Sequence, residues 1–289
     1  MPISPTNPNQ GSFFGSFYMA LACLCFALML VSIKMAGQKF AMHTYELTFW
    51  RVLSSLVILG GLSWVKGQDF RTAYPKEHFW RSLAGLVALL MNFYVVLHLP
   101  LATASTLQNT SAIFLGLLSI IILKQKPSVI SWISLILGFL GVVILLKPSQ
   151  GGDIFAMFIG LTSGAISGYA YLQVRELSLL GEPAWRIVFY FSLLSAIISG
   201  ILAAFFGFTP ISWANLPYII AIGVTALGGQ LLMTYAYQVG QKFVVAVLGY
   251  LGVVFSVIFG AVLFGERLDW LSLLGIAIIV ISGMIGTKK

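Results

Sequence analysis

Apolar runs of about 18 to 22 residues recur along almost the whole chain, and each is long enough to cross the roughly 30 Å hydrocarbon core of a bilayer. Because no water reaches that core, a spanning segment must satisfy its own backbone polar groups, which a helix does. Only 8% of the residues are charged, against about 25% in a soluble domain. The sequence therefore predicts an all-α integral membrane protein with ten transmembrane helices, at about 13–34, 44–65, 82–99, 102–123, 129–147, 154–174, 186–207, 216–237, 243–264 and 270–287.

The basic residues predict the orientation of the chain in the membrane. Residues 1–12 are polar and proline-rich without Lys or Arg, which favours a flexible tail over a cleavable signal peptide. On the side of the N-terminus lie Lys66, Arg71, Lys76, Arg81, Lys124, Lys126, Arg175, Arg186, Lys242, Lys288 and Lys289, and on the other side lie Lys34, Lys39, Lys147 and Arg267. The positive-inside rule then predicts that both termini are cytoplasmic. The net charge of +8 reflects this topology and does not indicate binding to nucleic acid.

The chain also shows a weak internal repeat. An offset of about 141 residues aligns its halves, so that Leu90 meets Leu231 and Tyr94 meets Tyr235. Residues 13–147 and 154–288 would then each hold five helices, and an odd number makes the second repeat enter the membrane from the opposite side. Inverted repeats of this kind recur in secondary transporters. The alternative from another class is a duplicated membrane scaffold or sensor that transports nothing.

Polar side chains inside the predicted spans are candidates for a substrate site. They cost free energy in a bilayer unless they find partners, so they tend to face the interior of the bundle. Amides and phenols suit a neutral or zwitterionic solute with an apolar part, although each could instead hydrogen-bond helix to helix. The candidate substrate-binding residues, together with the cation discussed next, are Arg51, Asn92, Tyr94, Gln108, Asn109, Tyr169, Gln230, Tyr235 and Tyr250.

The stretch TYELTFWRVL places Glu46 and Arg51 in the second span. Five residues at 100° leave these two charges about 140° apart on a helix, so they are poor partners for each other. Lys34, near the same end of the first span, is the expected partner of Glu46, and Glu46 is the carboxylate expected to carry protons if transport is proton-coupled. Arg51 then needs backbone carbonyls, a water-filled cavity or a substrate anion.

The sequence shows no catalytic or metal-binding constellation. Its three histidines, His43, His78 and His98, lie at span ends without acidic or thiol neighbours at ligand spacing, and Cys23 and Cys25 point in different directions on a helix. A phosphate-binding loop of the Walker type is also missing from the sequence. We therefore expect a protein that is not an enzyme and uses no cofactor or metal.

Three segments resemble the EamA-like family of the drug/metabolite transporter superfamily: YELTFWR in the second span, ATASTLQNTSAIF in the fourth and FGERLDWLSLLG after the ninth. The resemblance covers essentially the whole chain. Two positions depart from the family pattern, with Gln125 where a glutamate would fall and Ala112 where a proline is common. The resemblance implies a carrier of the bacterial inner membrane with its substrate cavity between the two repeats.

Together these features predict a secondary transporter that works by alternating access. We expect it to export a small amino-acid-like or other zwitterionic metabolite, with uptake of an S-adenosylmethionine- or nucleoside-like metabolite as the alternative. The expected partners are that small molecule and the lipid bilayer, with no nucleic acid. A single chain would suffice, and a dimer is compatible with the same sequence.

Overall fold

The computed structural model describes residues 8–122, 129–146, 153–239 and 248–286. Every element in these ranges is an α-helix, so the prediction of an all-α protein is confirmed. In chain order the helices are α1 (Pro8–Phe40), α2 (Thr44–Val65), α3 (Pro75–His98), α4 (Leu101–Asn109), α5 (Ser111–Ile122), α6 (Val129–Leu146), α7 (Ile154–Leu179), α8 (Ala184–Phe206), α9 (Leu216–Val239), α10 (Leu251–Phe264) and α11 (Trp270–Gly286).

Each predicted apolar run overlaps a helix, and within the described ranges six helices are long and apolar enough to cross a membrane. These six segments are Phe14–Phe40, Thr44–Val65, Pro75–His98, Ile154–Val174, Ala184–Phe206 and Leu216–Met233. Large apolar side chains such as Trp64, Phe205 and Val262 are exposed on the outside of the bundle, which is the surface that a bilayer would cover.

The helix ends differ from the prediction in places that matter for the site. Helix α1 begins at Pro8, inside the segment expected to be a tail, and continues to Phe40 instead of ending near residue 34. Helix α3 begins at Pro75, with proline in its first turn, about seven residues earlier than expected. Several residues used in the sequence analysis lie outside the described part, namely residues 1–7, Lys124, Gln125, Lys126, Lys147, Lys242, Lys288 and Lys289, as do the side chains of Ala112 and Arg175.

The predicted fourth span is broken into α4 and α5 at Thr110. The Thr110 hydroxyl donates a hydrogen bond of 2.6 Å to the carbonyl of Leu107, and a threonine that bonds back to its own helix bends it. Helix α7 packs against this break through glycine. A Cβ on Gly168 would lie 2.9 Å from the backbone oxygen of Ser111 and 2.9 Å from the backbone nitrogen of Leu115, so only glycine permits this approach.

The helices of the first half, residues 13–147, pack mainly against helices of the second half, residues 154–288. Helix α1 packs on α9, α3 on α7, α2 on α8 and α6 on α11. The buried apolar core runs between the halves and includes Ile33, Leu47, Phe93, Leu107 and Ile222. Both halves therefore build this core together.

Candidate functional site

Polar contacts join the two halves at both ends of the bundle. Glu46 lies in the first turn of α2, and the loop before α3 follows the other end of the same helix. Since α2 has 22 residues, these points are about 33 Å apart. We call the first the Lys34 end and the second, where α3 begins, the His78 end.

Lys34 occupies the centre of the contacts at the Lys34 end. Its ammonium forms an ion pair with the carboxylate of Glu266 and donates a hydrogen bond of 2.7 Å to the carbonyl of Leu99. The other carboxylate oxygen of Glu266 accepts a hydrogen bond of 2.8 Å from the backbone nitrogen of Leu101. The Lys34 and Glu266 side chains are only 7% and 12% exposed. This cluster therefore ties α1 to the α3–α4 turn and to the α10–α11 turn.

The expected pairing of Lys34 with Glu46 is wrong. Because α1 continues to Phe40, Lys34 lies well below the loop to α2 and faces the α10–α11 turn instead. Sequence reasoning did not single out Glu266, although the turn FGERLDW that contains it carries part of the family resemblance. A cavity of about 530 Å³ opens beside the pair and is lined by Lys34, Gln38, Leu97, His98, Leu99, Pro100, Leu263, Phe264 and Glu266.

Glu46 has its own partner at the same end. Its carboxylate accepts hydrogen bonds from the backbone nitrogen of Thr209 at 3.0 Å and from the Thr209 hydroxyl at 2.9 Å. Glu46 is fully buried in the first turn of α2. Thr209 lies in the loop between α8 and α9, so this contact again joins the two halves.

Glu182 is the centre of the His78 end. Its carboxylate accepts a hydrogen bond of 2.8 Å from the Thr72 hydroxyl and one of 3.1 Å from Arg186, and it lies 3.2 Å from Nε2 of His78. Burial tends to raise the pKa of Glu182, but the donors on Thr72, His78 and Arg186 outweigh burial, and the pKa lies below its usual value. Arg186 also donates to the carbonyl of Asp69 at 2.7 Å.

Sequence reasoning missed this cluster because His78 and Glu182 are far apart in the chain and each lies at a helix end. One local signal was present, since Glu182 and Arg186 are four residues apart, the spacing at which opposite charges pair on a helix. The partner His78 could be identified only from the tertiary contact between the first turn of α3 and the α7–α8 connection.

Two arginines, Arg51 and Arg81, lie between the two ends, and their guanidinium groups form no ion pair or hydrogen bond with the residues that the structure describes. The buried Nε atoms of Arg51 and Arg81, and Nη1 of Arg81, make no hydrogen bond. The two guanidinium groups lie within electrostatic range of each other, and both lie within range of Tyr171. Arg81 also stacks on the ring of Phe191, with 4.3 Å between Cζ and the ring centroid.

Arg81 was counted among loop residues, and its place in the interior follows from the early start of α3. It lies six residues after Pro75, about 9 Å into the helix. Proline at the first helical position is a common start signal and could have revealed this. Arg51 lies where the sequence analysis expected it, about 10 Å into α2 from the Lys34 end.

The remaining candidate residues have varied surroundings. Asn92 is 4% exposed, and its amide nitrogen has no hydrogen-bond partner. Asn109 donates a hydrogen bond of 2.8 Å to the carbonyl of Ser105, within α4. The Tyr169 hydroxyl accepts one of 2.6 Å from Gln173. Asn92 therefore resembles Arg51 in offering a free donor, whereas Asn109 and Tyr169 are engaged within their own helices.

The other five candidates lie elsewhere. Tyr94 stacks on His98, with ring centroids 4.0 Å apart, beside the cavity at the Lys34 end. Tyr235 is 54% exposed and contacts Tyr18 edge to face. Gln108 lies in α4, Gln230 in α9, and Tyr250 at the residue before α10. Among the residues that the structure describes, no group of His, Cys, Asp or Glu side chains could hold a metal ion.

Buried polar contacts at both ends of a bundle of apolar helices, with unpaired cations between them, are features of a membrane transporter. The chain belongs to the EamA-like transporter family, whose model matches residues 13–147 and again residues 154–285. The resemblance seen in the sequence is thereby confirmed. The chain is a multi-pass protein of the bacterial inner membrane, and its family supports a role in transport rather than in catalysis.

Its relatives are transporters. The chain is 28% identical to the pseudopaline exporter CntI of Pseudomonas aeruginosa, over 95% of this chain and 97% of that one. It is 26% identical to an S-adenosylmethionine uptake transporter of Rickettsia conorii, over 83% of this chain and 81% of that one. A solved crystal structure shares the fold with a TM-score of 0.65 at 16% identity, over 95% of this chain and 98% of that one.

Proposed function

We propose that the protein is a secondary transporter that exports a small amino-acid-like or other zwitterionic metabolite by alternating access. Residues 13–147 and 154–288 would act as inverted five-helix repeats, with both termini in the cytoplasm, and one chain would suffice. Exchange of the two repeat conformations then converts a state open on one side into a state open on the other. The substrate would lie between the repeats, where Arg51 and Asn92 offer free donors.

The helix contacts support the inverted repeat. Helices α1 and α7 are the first of each half, α2 and α8 the second, and α3 and α9 the third. The contact of α1 with α9 has its counterpart in that of α7 with α3, and the two second helices pack on each other. Exchanging the halves leaves this set of contacts unchanged, as a two-fold relation requires.

Two polar contacts carry the proposal, because they have the same design at opposite ends. In each, a carboxylate at or just before the start of the second helix of one half accepts a hydrogen bond from a threonine hydroxyl. That threonine lies in the loop between the second and third helices of the other half. The contacts are Glu46 with Thr209 and Glu182 with Thr72, and we call them the Glu46 latch and the Glu182 latch. Opening one latch while the other stays closed is what alternating access needs.

Export is favoured because a named exporter matches nearly the full length of both chains. Uptake is the second candidate, since an uptake transporter matches over most of its length. Proteoliposomes with inside-out and right-side-out protein would separate these directions. Flux that is driven only from the cytoplasmic face outward supports export.

Cysteine labelling tests the transport mechanism without knowledge of the substrate. In a background with Cys23→Ala and Cys25→Ala, the variant Asn92→Cys would be exposed to a membrane-impermeant thiol reagent added to either side of the vesicle. A transporter predicts labelling of residue 92 from both sides. Ile197→Cys is the matched control, because Ile197 is exposed on the outer surface of α8 and would be covered by lipid.

A scaffold or sensor predicts a dry interior and no labelling of Asn92→Cys from either side, which would contradict the proposal.

Thr209→Val tests the role of the latches in the same assay, since it removes the hydroxyl of the Glu46 latch. We expect it to increase labelling from the Lys34 end relative to labelling from the His78 end. The reverse change is expected for Thr72→Val.

A further inference from the structure

Arg51 and Arg81 are partly buried cations between the two ends of the bundle, and no described residue neutralises either of them. Neither forms an ion pair or hydrogen bond through its guanidinium group with the residues that the structure describes. The carboxylates described at the two ends of the bundle have other partners, Glu46 with Thr209, Glu182 with His78 and Arg186, and Glu266 with Lys34. The two guanidinium groups also repel each other, since they lie within electrostatic range.

A buried charge without a counter-charge is costly in a membrane protein. Two such charges within electrostatic range of each other therefore call for an anionic partner that comes from outside the chain. We propose that Arg51 and Arg81 together form the seat for a substrate that carries at least two negative charges on oxyanion groups, either carboxylate or phosphate. This inference rests on the proposed transport function and narrows its substrate to an acidic metabolite.

The geometry of α3 directs Arg81 toward this seat. Eleven residues at 100° return Asn92 to within about 20° of Arg81, so both lie on one face of the helix. Gly85, about 40° away, leaves that face open. A Cβ at Gly85 would lie 2.5 Å from Nη1 of Arg81. Glycine at this position therefore lets the arginine side chain run along its own helix toward the centre of the membrane.

Asn92 and Arg51 lie at similar depths, and the Arg81 side chain extends toward them along α3. Asn92 lies six residues before the end of α3, and Arg51 lies seven residues after the start of α2, so both are about 10 Å below the Lys34 end. Trp50 adds another buried N–H without a partner. Phe191 covers one face of the Arg81 guanidinium and leaves its N–H edge for an oxyanion, with which a guanidinium can form two parallel hydrogen bonds.

The charge of the seat excludes a simple zwitterion as the best ligand. One carboxylate would neutralise one guanidinium, but the accompanying ammonium group would meet the second. A ligand with two oxyanion groups satisfies both arginines and leaves no cation unpaired. An additional amino group could then contact Tyr171, which lies near both arginines.

Binding can be measured without transport, from the melting temperature of the purified full-length protein in detergent with added ligand. The probes are succinate for a dicarboxylate, glycerol 3-phosphate for a phosphate ester and alanine for a zwitterion. We expect an anionic probe to raise the melting temperature and alanine to have little effect. Arg51→Gln and Arg81→Gln should each weaken binding about tenfold to a hundredfold, as expected for loss of a charged hydrogen bond. Lys39→Gln, at an exposed lysine, should bind as the wild type does.

The ligand-free variants supply a second readout. If Arg51 and Arg81 stay unpaired until a substrate binds, replacing either with glutamine removes an uncompensated charge from the bundle. The melting temperature of the ligand-free protein should then rise. A structural role predicts the opposite change. Binding of succinate would indicate a site for carboxylates, and binding of glycerol 3-phosphate would indicate a site for phosphate.

Two results would overturn the seat: melting of the empty protein at a lower temperature in both variants, or a response to alanine as large as that to either anion. Neither touches the transport proposal, which depends on labelling of residue 92 from both sides. Conversely, anion binding without labelling of residue 92 from both sides would support the binding site but contradict the transport proposal.

Discussion

The ammonium of Lys34 pairs with the carboxylate of Glu266, although the two residues are 232 positions apart in the chain. The same ammonium donates to the carbonyl of Leu99 and the same carboxylate accepts from the nitrogen of Leu101. These two backbone groups flank Pro100 at the α3–α4 turn, so one ion pair satisfies both. The closure of the Lys34 end therefore depends on a pair that belongs to both halves of the protein.

Removal of one member of this pair should destabilise the protein strongly. Glu266→Gln leaves the Lys34 ammonium buried without a counter-charge, and loss of one partner from a buried pair costs about 3–5 kcal/mol. The double variant Lys34→Met, Glu266→Gln should recover part of that loss, because neither charge then remains. Thermal melting of the four proteins in a double-mutant cycle measures the coupling. Purely additive effects would show that the pair contributes nothing to stability.

Glu46→Gln tests proton coupling at the Glu46 latch. Glutamine can still accept from Thr209 but cannot bind and release a proton. We expect accumulation driven by a pH gradient to be lost, while exchange of labelled for unlabelled substrate across proteoliposomes continues. The control is Thr209→Val, which removes the hydroxyl donor and leaves the carboxylate able to titrate. Uphill transport at the wild-type rate in Glu46→Gln would assign the coupling to another ion or to none.

The Glu182 latch should make stability depend on pH. The pKa of Glu182 lies below the ordinary value of 4.5 for a glutamate carboxyl, so its contacts stabilise the folded protein fully above that value. The contribution is lost as pH falls through the lower pKa of the folded state. The melting temperature of the wild type should therefore exceed that of Glu182→Gln at pH 7, and the difference should shrink below about pH 4.5. A difference that is constant from pH 7 to pH 3 would show that the charge of Glu182 is not involved.

Gly85→Ala tests how Arg81 reaches the interior. The added methyl would meet Nη1 of Arg81, which is the mobile tip of a side chain, and the ring of Phe191. We expect the protein to fold, because a long side chain can move aside, but to bind an anionic probe more weakly. The measurement is the shift in melting temperature produced by succinate or glycerol 3-phosphate. Unchanged binding would mean that the position of Arg81 along α3 is unimportant.

Gly168→Ala is the matched control for that substitution. Its methyl would meet backbone atoms of Ser111 and Leu115 at 2.9 Å, and backbone atoms cannot move aside cheaply. Overpacking of this kind typically costs about 1–3 kcal/mol. We therefore expect the melting temperature to fall clearly in Gly168→Ala and only slightly in Gly85→Ala.

The helical class, the approximate positions of the helices and the family could be predicted from the sequence. The length and polarity of each apolar run are local properties, and a bilayer leaves such a run little choice but a helix. Arg51 was identified as the residue in need of a partner for the same local reason, since a cation inside an apolar run is visible in the sequence alone.

The partners of the charged residues were decided only by the tertiary structure. A few residues more or less at a helix end change which neighbours a side chain can reach. Because α1 extends to Phe40, Lys34 pairs with Glu266 and not with the expected Glu46. Because α3 starts at Pro75, Arg81 lies within a helix and not in a loop. The contacts of Glu182 with Thr72 and His78 join connections more than 100 residues apart. No local pattern encodes such contacts, because they form only when the two halves of the chain pack together.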